Sequence, residues 1–338
     1  MITIAQIGVG EWGRNLLRTF SNLPDCRVKY FCDQNPATIE KLNRFYHGKI
    51  QGVTNYEIIL NDPEIKAVII ASPPITHAEL VLQALKANKH VFVEKPLALS
   101  ISDAERMILG ATEQRRILVV GHLLLYHPAI RKLKSYIDEG QLGDIHYLYS
   151  TRVNLGRIRD AENALWSLTA HDISVAMYLL EDMPQRVTAT GSSYLRQGVE
   201  DVVFVTLYFE KNVMSHIHAS WLDPHKVRKF TIVGSQKMAV FDDMESSEKV
   251  RLYDKGVSHQ RGSGQSHTSL TVREGDIYIP RIDIEEPLTL ECQHFLDCIQ
   301  TGKNALSDGE NGLSVLRVLT AAQESMESNG KPIQISYK

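Results

Sequence analysis

A lysine set between a glutamate and a proline, Glu94-Lys95-Pro96, directly follows the short apolar run Val91-Phe92-Val93. Such a run reads as a buried strand, and a lysine at its end is poorly placed for solvent. That position suits hydrogen bonding to a reacting oxygen, while a strand-end charge turned to water fits the same spacing. Two other polar clusters also follow apolar runs: Ser72-Pro73-Pro74-Ile75-Thr76-His77 after Lys66 to Ala71, and Gly121-His122 after Ile117 to Val120. In an open parallel sheet ligands collect beyond the carboxyl ends of the strands, so the three clusters mark one candidate site.

The elements that would position this site begin at residue 2. Ile2-Thr3-Ile4-Ala5-Gln6-Ile7 breaks into Gly8-Val9-Gly10-Glu11-Trp12-Gly13, then into a helical pattern with Leu16, Leu17 and Phe20 on its inner face. In a strand-to-helix turn, Gly8 makes the bend and Gly10 lets the backbone touch a pyrophosphate on the positive helix end. Gly13 lets the helix lie close to the strand. A second β-rich stretch, Arg27 to Cys32, ends in Asp33, 20 residues beyond Gly13, where a ribose-binding acid is expected. Asp33 also heads the turn Asp33-Gln34-Asn35-Pro36, which is its other reading. A carboxylate there accepts both ribose hydroxyls and repels a 2′-phosphate by about 4 kcal/mol, for charges ~4 Å apart at an effective dielectric of ~20. NAD is favoured over NADP.

Short apolar runs and helical stretches keep alternating to residue 121, which implies right-handed βαβ crossovers and a doubly wound parallel sheet. Ser102 to Glu105 and Ser307 to Glu310 have capping-box spacing, and Pro287 and Gly302 bracket a helix near the end. After a helix from about Pro128 to Glu139 come long β-type segments: Ile145 to Asn154, Arg186 to Leu195, Val202 to Glu210, Val213 to Trp221 and Lys229 to Gly234. Val203, Val205, Leu207 and Phe209 alternate, as in an antiparallel sheet with one face covered and one open. Asp254 to Thr271, rich in Gly, Ser, His and Gln, reads as a mobile loop. The expected class is α/β, with a dinucleotide-binding domain over 1–121 and a substrate and oligomerisation domain over 122–338.

The 338 residues are 43% hydrophobic and 23% charged with a net charge of −3, globular values that draw neither nucleic acid nor an anionic membrane. Cys26, Cys32, Cys292 and Cys298 form no C-x-x-C pair, and Cys292 shares a helix face with Phe295, Leu296 and Ile299, as a core thiol would. No leader pattern and no apolar run of about 20 residues is seen, so a soluble, cytoplasmic protein is expected. His216 and His218 share one face of a strand without a third ligand at matching spacing. They fit a sheet surface better than a metal site, and no metal is expected.

The motifs resemble the Gfo/Idh/MocA family, NAD(P) enzymes of the glucose-fructose oxidoreductase and inositol dehydrogenase type. The likeness rests on Gly8-Val9-Gly10-Glu11-Trp12-Gly13, Ala71-Ser72-Pro73-Pro74 with His77, and Lys89 to Leu97. It extends to Gly121-His122 with His127-Pro128-Ala129 and to His171-Asp172-Ile173, nearly the whole chain. The resemblance implies a Rossmann domain, an α/β domain with a large open-faced sheet, and a dimer or tetramer built through that sheet. It implies a cis peptide before Pro96, and it brings Glu11, Trp12, Ser72, Pro73, His77 and Glu94 to the cofactor with Lys95 beside the nicotinamide. It sets His171 beside the substrate hydroxyl, with His122 among the substrate residues. Many members carry an acid four residues before that histidine; here the position is Ser167, which leaves Lys95 and His171 as the pair. Asp172 either orients the imidazole or stabilises a helix start. The stretch Asn154 to Arg159, with Trp166, is similar to the branch oxidising C3 of nucleotide-linked amino sugars such as UDP-GlcNAc. Arg152, Arg157 and Arg159 offer charge for its diphosphate, and as solvated strand ends they read equally well.

The expected reaction is oxidation of a secondary sugar hydroxyl to the ketone, which the branch resemblance makes C3 of a UDP-linked N-acetylamino sugar. His171 takes the hydroxyl proton, hydride passes to NAD, and Lys95 donates a hydrogen bond to the oxygen. The two roles are exchangeable on sequence alone. Dehydrogenation of a free sugar or inositol, cleavage of a glycosidic bond through a transient 3-keto sugar, and a non-catalytic NAD-linked sensor are the rival readings.

Overall fold

The structure, a computed structural model, describes residues 1–156, 162–261, 268–283 and 285–337. The chain divides into two compact units, Met1–Tyr126 with Glu285–Leu316, and His127–Ile284 with Arg317–Lys338.

The first unit alternates as the sequence pattern predicts: β1 (Ile2–Ile7), α1 (Gly13–Asn22), β2 (Cys26–Cys32), α2 (Pro36–Phe45), β3 (Gln51–Val53), α3 (Glu57–Asn61), β4 (Ala67–Ile70), α4 (His77–Lys86), β5 (His90–Val93), α5 (Ile101–Glu113) and β6 (Leu118–Val120). The strands pair in parallel in the order β3-β2-β1-β4-β5-β6. The order reverses between β1 and β4, the switch point at which a doubly wound sheet opens a crevice. Val68, Ile69, Ile70, Val91, Phe92 and Val93 are fully buried, as central strands covered on both faces require.

The second unit contains α6 (Pro128–Asp138), β7 (Ile145–Val153), α7 (Ala170–Leu180), β8 (Arg186–Ser192), β9 (Val202–Tyr208), β10 (Met214–Ser220), β11 (Val227–Gly234), β12 (Met238–Asp242), β13 (Val250–Arg261) and β14 (Thr268–Tyr278). After α8 (Pro287–Thr301) and α9 (Gly309–Glu327), β15 (Ile333–Gln334) completes a sheet in the order β14-β13-β12-β11-β7-β10-β9-β8-β15. β7 and β10 run parallel and the other pairs antiparallel. The expected two-faced character is present. Val203, Val205 and Leu207 are buried, whereas Phe204, Tyr147, Tyr149 and Met214 on the opposite face are exposed.

Three expectations are corrected. Residues 254 to 261 and 268 to 271, read as loop, belong to a hairpin in which Val257 pairs with Val272 and Ser258 with Thr271. Val257, Leu270 and Val272 are exposed, so no core face imposes the alternation a strand normally displays. Residues 285–316, placed by the sequence in the second part, pack with the first unit. Phe295 meets Phe20 and Phe92 edge-on, at centroid distances of 6.4 and 5.8 Å, and Cys292 is fully buried in the same core. The capping residues also shift. Ser100, not Ser102, caps α5 by accepting the amide of Asp103, and Asp308, not Ser307, caps α9 by accepting the amide of Asn311.

Candidate active site

The glycine turn does what its spacing predicts. Gly8 sits at φ +88°, and a Cβ there would lie 2.5 Å from the carbonyl oxygen of Ala71. Chirality and contact both demand glycine, and the contact brings the first loop against the end of β4. A Cβ on Gly13 would stand 2.3 Å from the carbonyl oxygen of Gly8, so α1 is drawn onto the loop. At Gly10 a Cβ would meet nothing within 4 Å. That glycine is surplus to the packing and leaves open the space in which a diphosphate would approach the backbone. No side chain caps α1, whose first amides suit an anion. Asp33 heads the turn as one of its sequence readings has it, and it also ties that turn to the glycine loop: Oδ1 accepts the amide of Asn35 at 2.9 Å and Oδ2 that of Val9 at 3.1 Å. The carboxylate is thus fixed at the lip of the turn. These features fit a bound NAD, which would rest its pyrophosphate on Gly10 and α1 and its adenosine ribose on Asp33.

At the end of β5 the Lys95–Pro96 peptide is cis, as the family resemblance implies. Beside it Glu94 accepts the indole N–H of Trp12 at 2.5 Å and the amide of Lys95 at 3.2 Å. A Cβ on Gly121 would lie 3.0 Å from the Glu94 carboxyl, so that glycine makes room for it. Burial pushes the Glu94 carboxyl up to about 7, against the pull of the Trp12 hydrogen bond and the Lys95 charge. Trp12 itself remains 42% exposed.

His77, expected at the cofactor, is instead a clamp. It is fully buried, with Nδ1 2.8 Å from the Pro96 carbonyl and Nε2 3.0 Å from that of Ser72. The ring thus stands between the loops after β4 and β5 and donates to one of the two carbonyls when neutral, as burial, which lowers its pKa against the pull of both carbonyls, favours. Ser72 bonds Thr76 at 2.7 Å, closing the same loop, and Pro73 and Glu11 lie at the surface. His122, at the end of β6, is 1% exposed and bonds Asn311 through Nδ1 at 2.7 Å.

In the second unit a π-helical turn, Leu165–Thr169, runs into α7, which starts with Ala170-His171-Asp172. Asp172 forms a buried ion pair with Arg152 of β7, Nε to Oδ2 2.6 Å and Nη2 to Oδ1 3.4 Å. Arg152, expected to meet a diphosphate, is thus already matched by a carboxylate. Ser167, at the place of the usual family acid, accepts the indole N–H of Trp221 at 3.2 Å. The Trp166 indole donates to Gln323 at 3.3 Å. Asn154 folds over Gly156 against the end of β10, its amide on the Ser220 carbonyl at 3.2 Å. Arg157 and Arg159 lie outside the described residues.

The sequence reading missed two residues of the first unit. Asn311 belongs to α9, far along the chain from His122, and only the fold pairs them. Glu291 of α8 is 1% exposed, and neither carboxyl oxygen has a hydrogen-bond partner among the described residues. Burial, and then the charge of Glu94, raise it well above the ordinary carboxyl value, so it is held as the neutral acid. Among the described residues no three His, Cys, Asp or Glu gather in a way that could hold a metal. His218 stacks on Phe204 at 4.6 Å, on the open face of the sheet.

A glycine cradle at the switch point and a lysine at the end of β5 define a Rossmann-fold dinucleotide oxidoreductase. The family profile described as an oxidoreductase family with an NAD-binding Rossmann fold matches residues 2–122, and that of the GFO/IDH/MocA C-terminal domain matches 130–240. The chain belongs to the Gfo/Idh/MocA family, as an NAD-dependent oxidoreductase. It is 28% identical to the scyllo-inositol 2-dehydrogenase (NAD(+)) of Bacillus subtilis, over 100% of this chain and 97% of that protein. It is 28% identical to the myo-inositol 2-dehydrogenase of Thermotoga maritima, over 80% of each. The solved UDP-N-acetylglucosamine 3-dehydrogenase of Acidithiobacillus ferrooxidans superposes with a TM-score of 0.79 at 22% identity, covering 97% of this chain and 99% of that one, a likeness of fold. No helix of the described residues is long and apolar enough to cross a membrane.

Proposed function

We propose that the protein oxidises a secondary hydroxyl on an uncharged ring, a cyclitol or free sugar, to the ketone with NAD. NAD, when bound, accepts the hydride. His171 takes the hydroxyl proton, and Lys95 donates a hydrogen bond to the oxygen as it gains alkoxide character. The observation that carries the choice of an uncharged ring is the Arg152–Asp172 pair: the described arginine offered for a diphosphate is neutralised within the protein. The inositol dehydrogenases among its relatives support the same class.

A nucleotide-linked amino sugar oxidised at C3 is the second reading, favoured by the sequence from Asn154 to Trp166. A panel of inositols, free hexoses and UDP-sugars with NAD, followed as NADH absorbance, separates them. Turnover of UDP-GlcNAc but not of inositol or hexose overturns the first reading. Bond cleavage without net NADH overturns both. Lys95→Met should lower turnover by orders of magnitude and leave NAD affinity nearly intact. The exposed face carrying Tyr147, Tyr149, Phe204 and Met214 is proposed to join copies of the chain, which sedimentation tests.

A further inference from the structure

The start of α9 is fastened to the end of β6 with unusual redundancy. The amide of Val120 donates to the carbonyl of Ser307 at 2.8 Å, and the Ser307 hydroxyl bonds the Tyr126 phenol at 2.9 Å. A Cβ on Gly312 would stand 2.7 Å from a Val120 methyl and 3.1 Å from Leu97, so the helix lies against the strand. Asp308 caps the helix on the amide of Asn311, which fixes the backbone from which that side chain projects. The amide oxygen of Asn311 then faces Nδ1 of the buried His122 at 2.7 Å.

An amide oxygen accepts and cannot donate, so Nδ1 carries the proton and the imidazole lone pair is on Nε2. We propose that Asn311 is a positioning residue of the active site, which fixes His122 as the neutral Nδ1–H tautomer and so leaves Nε2 as a hydrogen-bond acceptor at the carboxyl end of β6, the parallel neighbour of the β5 strand that Lys95 follows. This rests on the reading above in taking the Lys95 end as the reacting end. The choice of an amide over a carboxylate matters. An aspartate at 311 would favour an imidazolium, a second cation near the Lys95 ammonium, whereas asparagine supplies the same carbonyl oxygen without charge. The surroundings agree. Burial pushes the His122 pKa down to about 4, the Asn311 bond opposes this, and the Lys95 charge adds to it. Glu94 packs against Gly121, Asp308 caps the helix that carries Asn311, and the Tyr126 phenol bonds Ser307 beside that cap.

The test is long-range nitrogen–proton NMR of histidine-labelled full-length protein, with His122→Gln assigning the signal. The expected wild-type spectrum shows His122 as the single Nδ1–H tautomer and uncharged from pH 8 to pH 5.5, with a shift on adding NADH. Asn311→Ala should mix the tautomers, and Asn311→Asp should bring protonation into the range pH 6 to 8. In kinetics Asn311→Ala should lower kcat roughly 10-fold, the scale for one net hydrogen bond lost from the transition state, with NAD affinity unchanged. Asn311→Asp should add a limb to the kcat/KM profile between pH 6 and 8. A wild-type His122 protonated on Nε2, or charged at pH 6, or with a tautomer indifferent to both Asn311 variants, overturns the proposal. So does wild-type kinetics in both. Failure of every sugar and cyclitol in the panel would defeat the functional reading alone, because the tautomer and the NADH-induced shift still decide the role of Asn311.

Discussion

Gly10 separates what the fold needs from what the cofactor needs. Its backbone has no positive φ, and a methyl there touches no protein atom within 4 Å, so Gly10→Ala should fold normally. Its stability should stay within about 0.5 kcal/mol of wild type or rise slightly, because alanine narrows the unfolded ensemble. Gly13→Ala is the control, since its methyl would lie 2.3 Å from the Gly8 carbonyl oxygen and the backbone must move. Overpacking of that kind costs about 1–3 kcal/mol, or roughly 2–4 °C in melting temperature for each kcal/mol. The effect on NAD runs the other way. A methyl between the loop and a phosphate removes a charge-assisted amide bond worth about 1.5–3 kcal/mol, a loss of roughly 10- to 150-fold in affinity. Thermal melts and NADH fluorescence titration give both quantities on the same samples. A Gly10→Ala protein that binds NADH as wild type does, or that melts as low as Gly13→Ala, refutes the cradle.

The remaining predictions concern charge. Asp33→Asn keeps an acceptor for the Val9 or Asn35 amide and removes the repulsion of a 2′-phosphate, so the ratio of NADP to NAD dissociation constants should fall by up to about 10³; an unchanged ratio rejects Asp33 as the discriminator. Breaking the buried Arg152–Asp172 pair by Arg152→Met or Asp172→Asn should cost about 3–5 kcal/mol in denaturant unfolding, and the double variant less than the two together; single losses below about 1 kcal/mol would mean the pair is solvated. Glu94 titrates higher in the folded protein than its ordinary 4.5, so its contribution to stability is full below about 4.5 and is lost as pH rises through about 7. Glu94→Gln, which keeps an acceptor for Trp12, should flatten that part of the stability profile, and identical wild-type and variant profiles from pH 4.5 to 8 would contradict it.

The first unit was legible because its signals are local. A glycine triplet, an acid at a set distance and uniformly apolar strands each follow from a few neighbouring residues. The edge of the second sheet was not: the pattern from Asp254 to Thr271 carries no periodic apolar face, and Val257 and Leu270 within it meet solvent. At α9 the cap slid by one position: Ser307 is engaged by Tyr126, and Asp308 takes the helix amide. The partners of the site residues were the least legible. His122 meets Asn311, Arg152 meets Asp172 and Trp166 meets Gln323 across separations of 189, 20 and 157 residues. Sequence proposes which side chains carry chemistry, and topology decides which of them are already engaged.

That distinction bears on the substrate. An arginine counted from sequence is a full positive charge available to a phosphate, but Arg152 is paired with the carboxylate of Asp172, in the first turn of α7. To take up a diphosphate on its Nε and Nη2 edge it would have to release Asp172, whose side chain is 4% exposed. The pair therefore acts as a fixed dipole tying β7 to the first turn of α7, beside His171. A ring alcohol needs only that such a frame hold its hydroxyl in line with one base and one donor. A nucleotide-linked substrate would need its phosphates met by charge from elsewhere, and the substrate panel with Arg152→Met asks for that charge directly: if UDP-sugar turnover falls selectively in the variant, Arg152 serves the diphosphate despite its pair with Asp172.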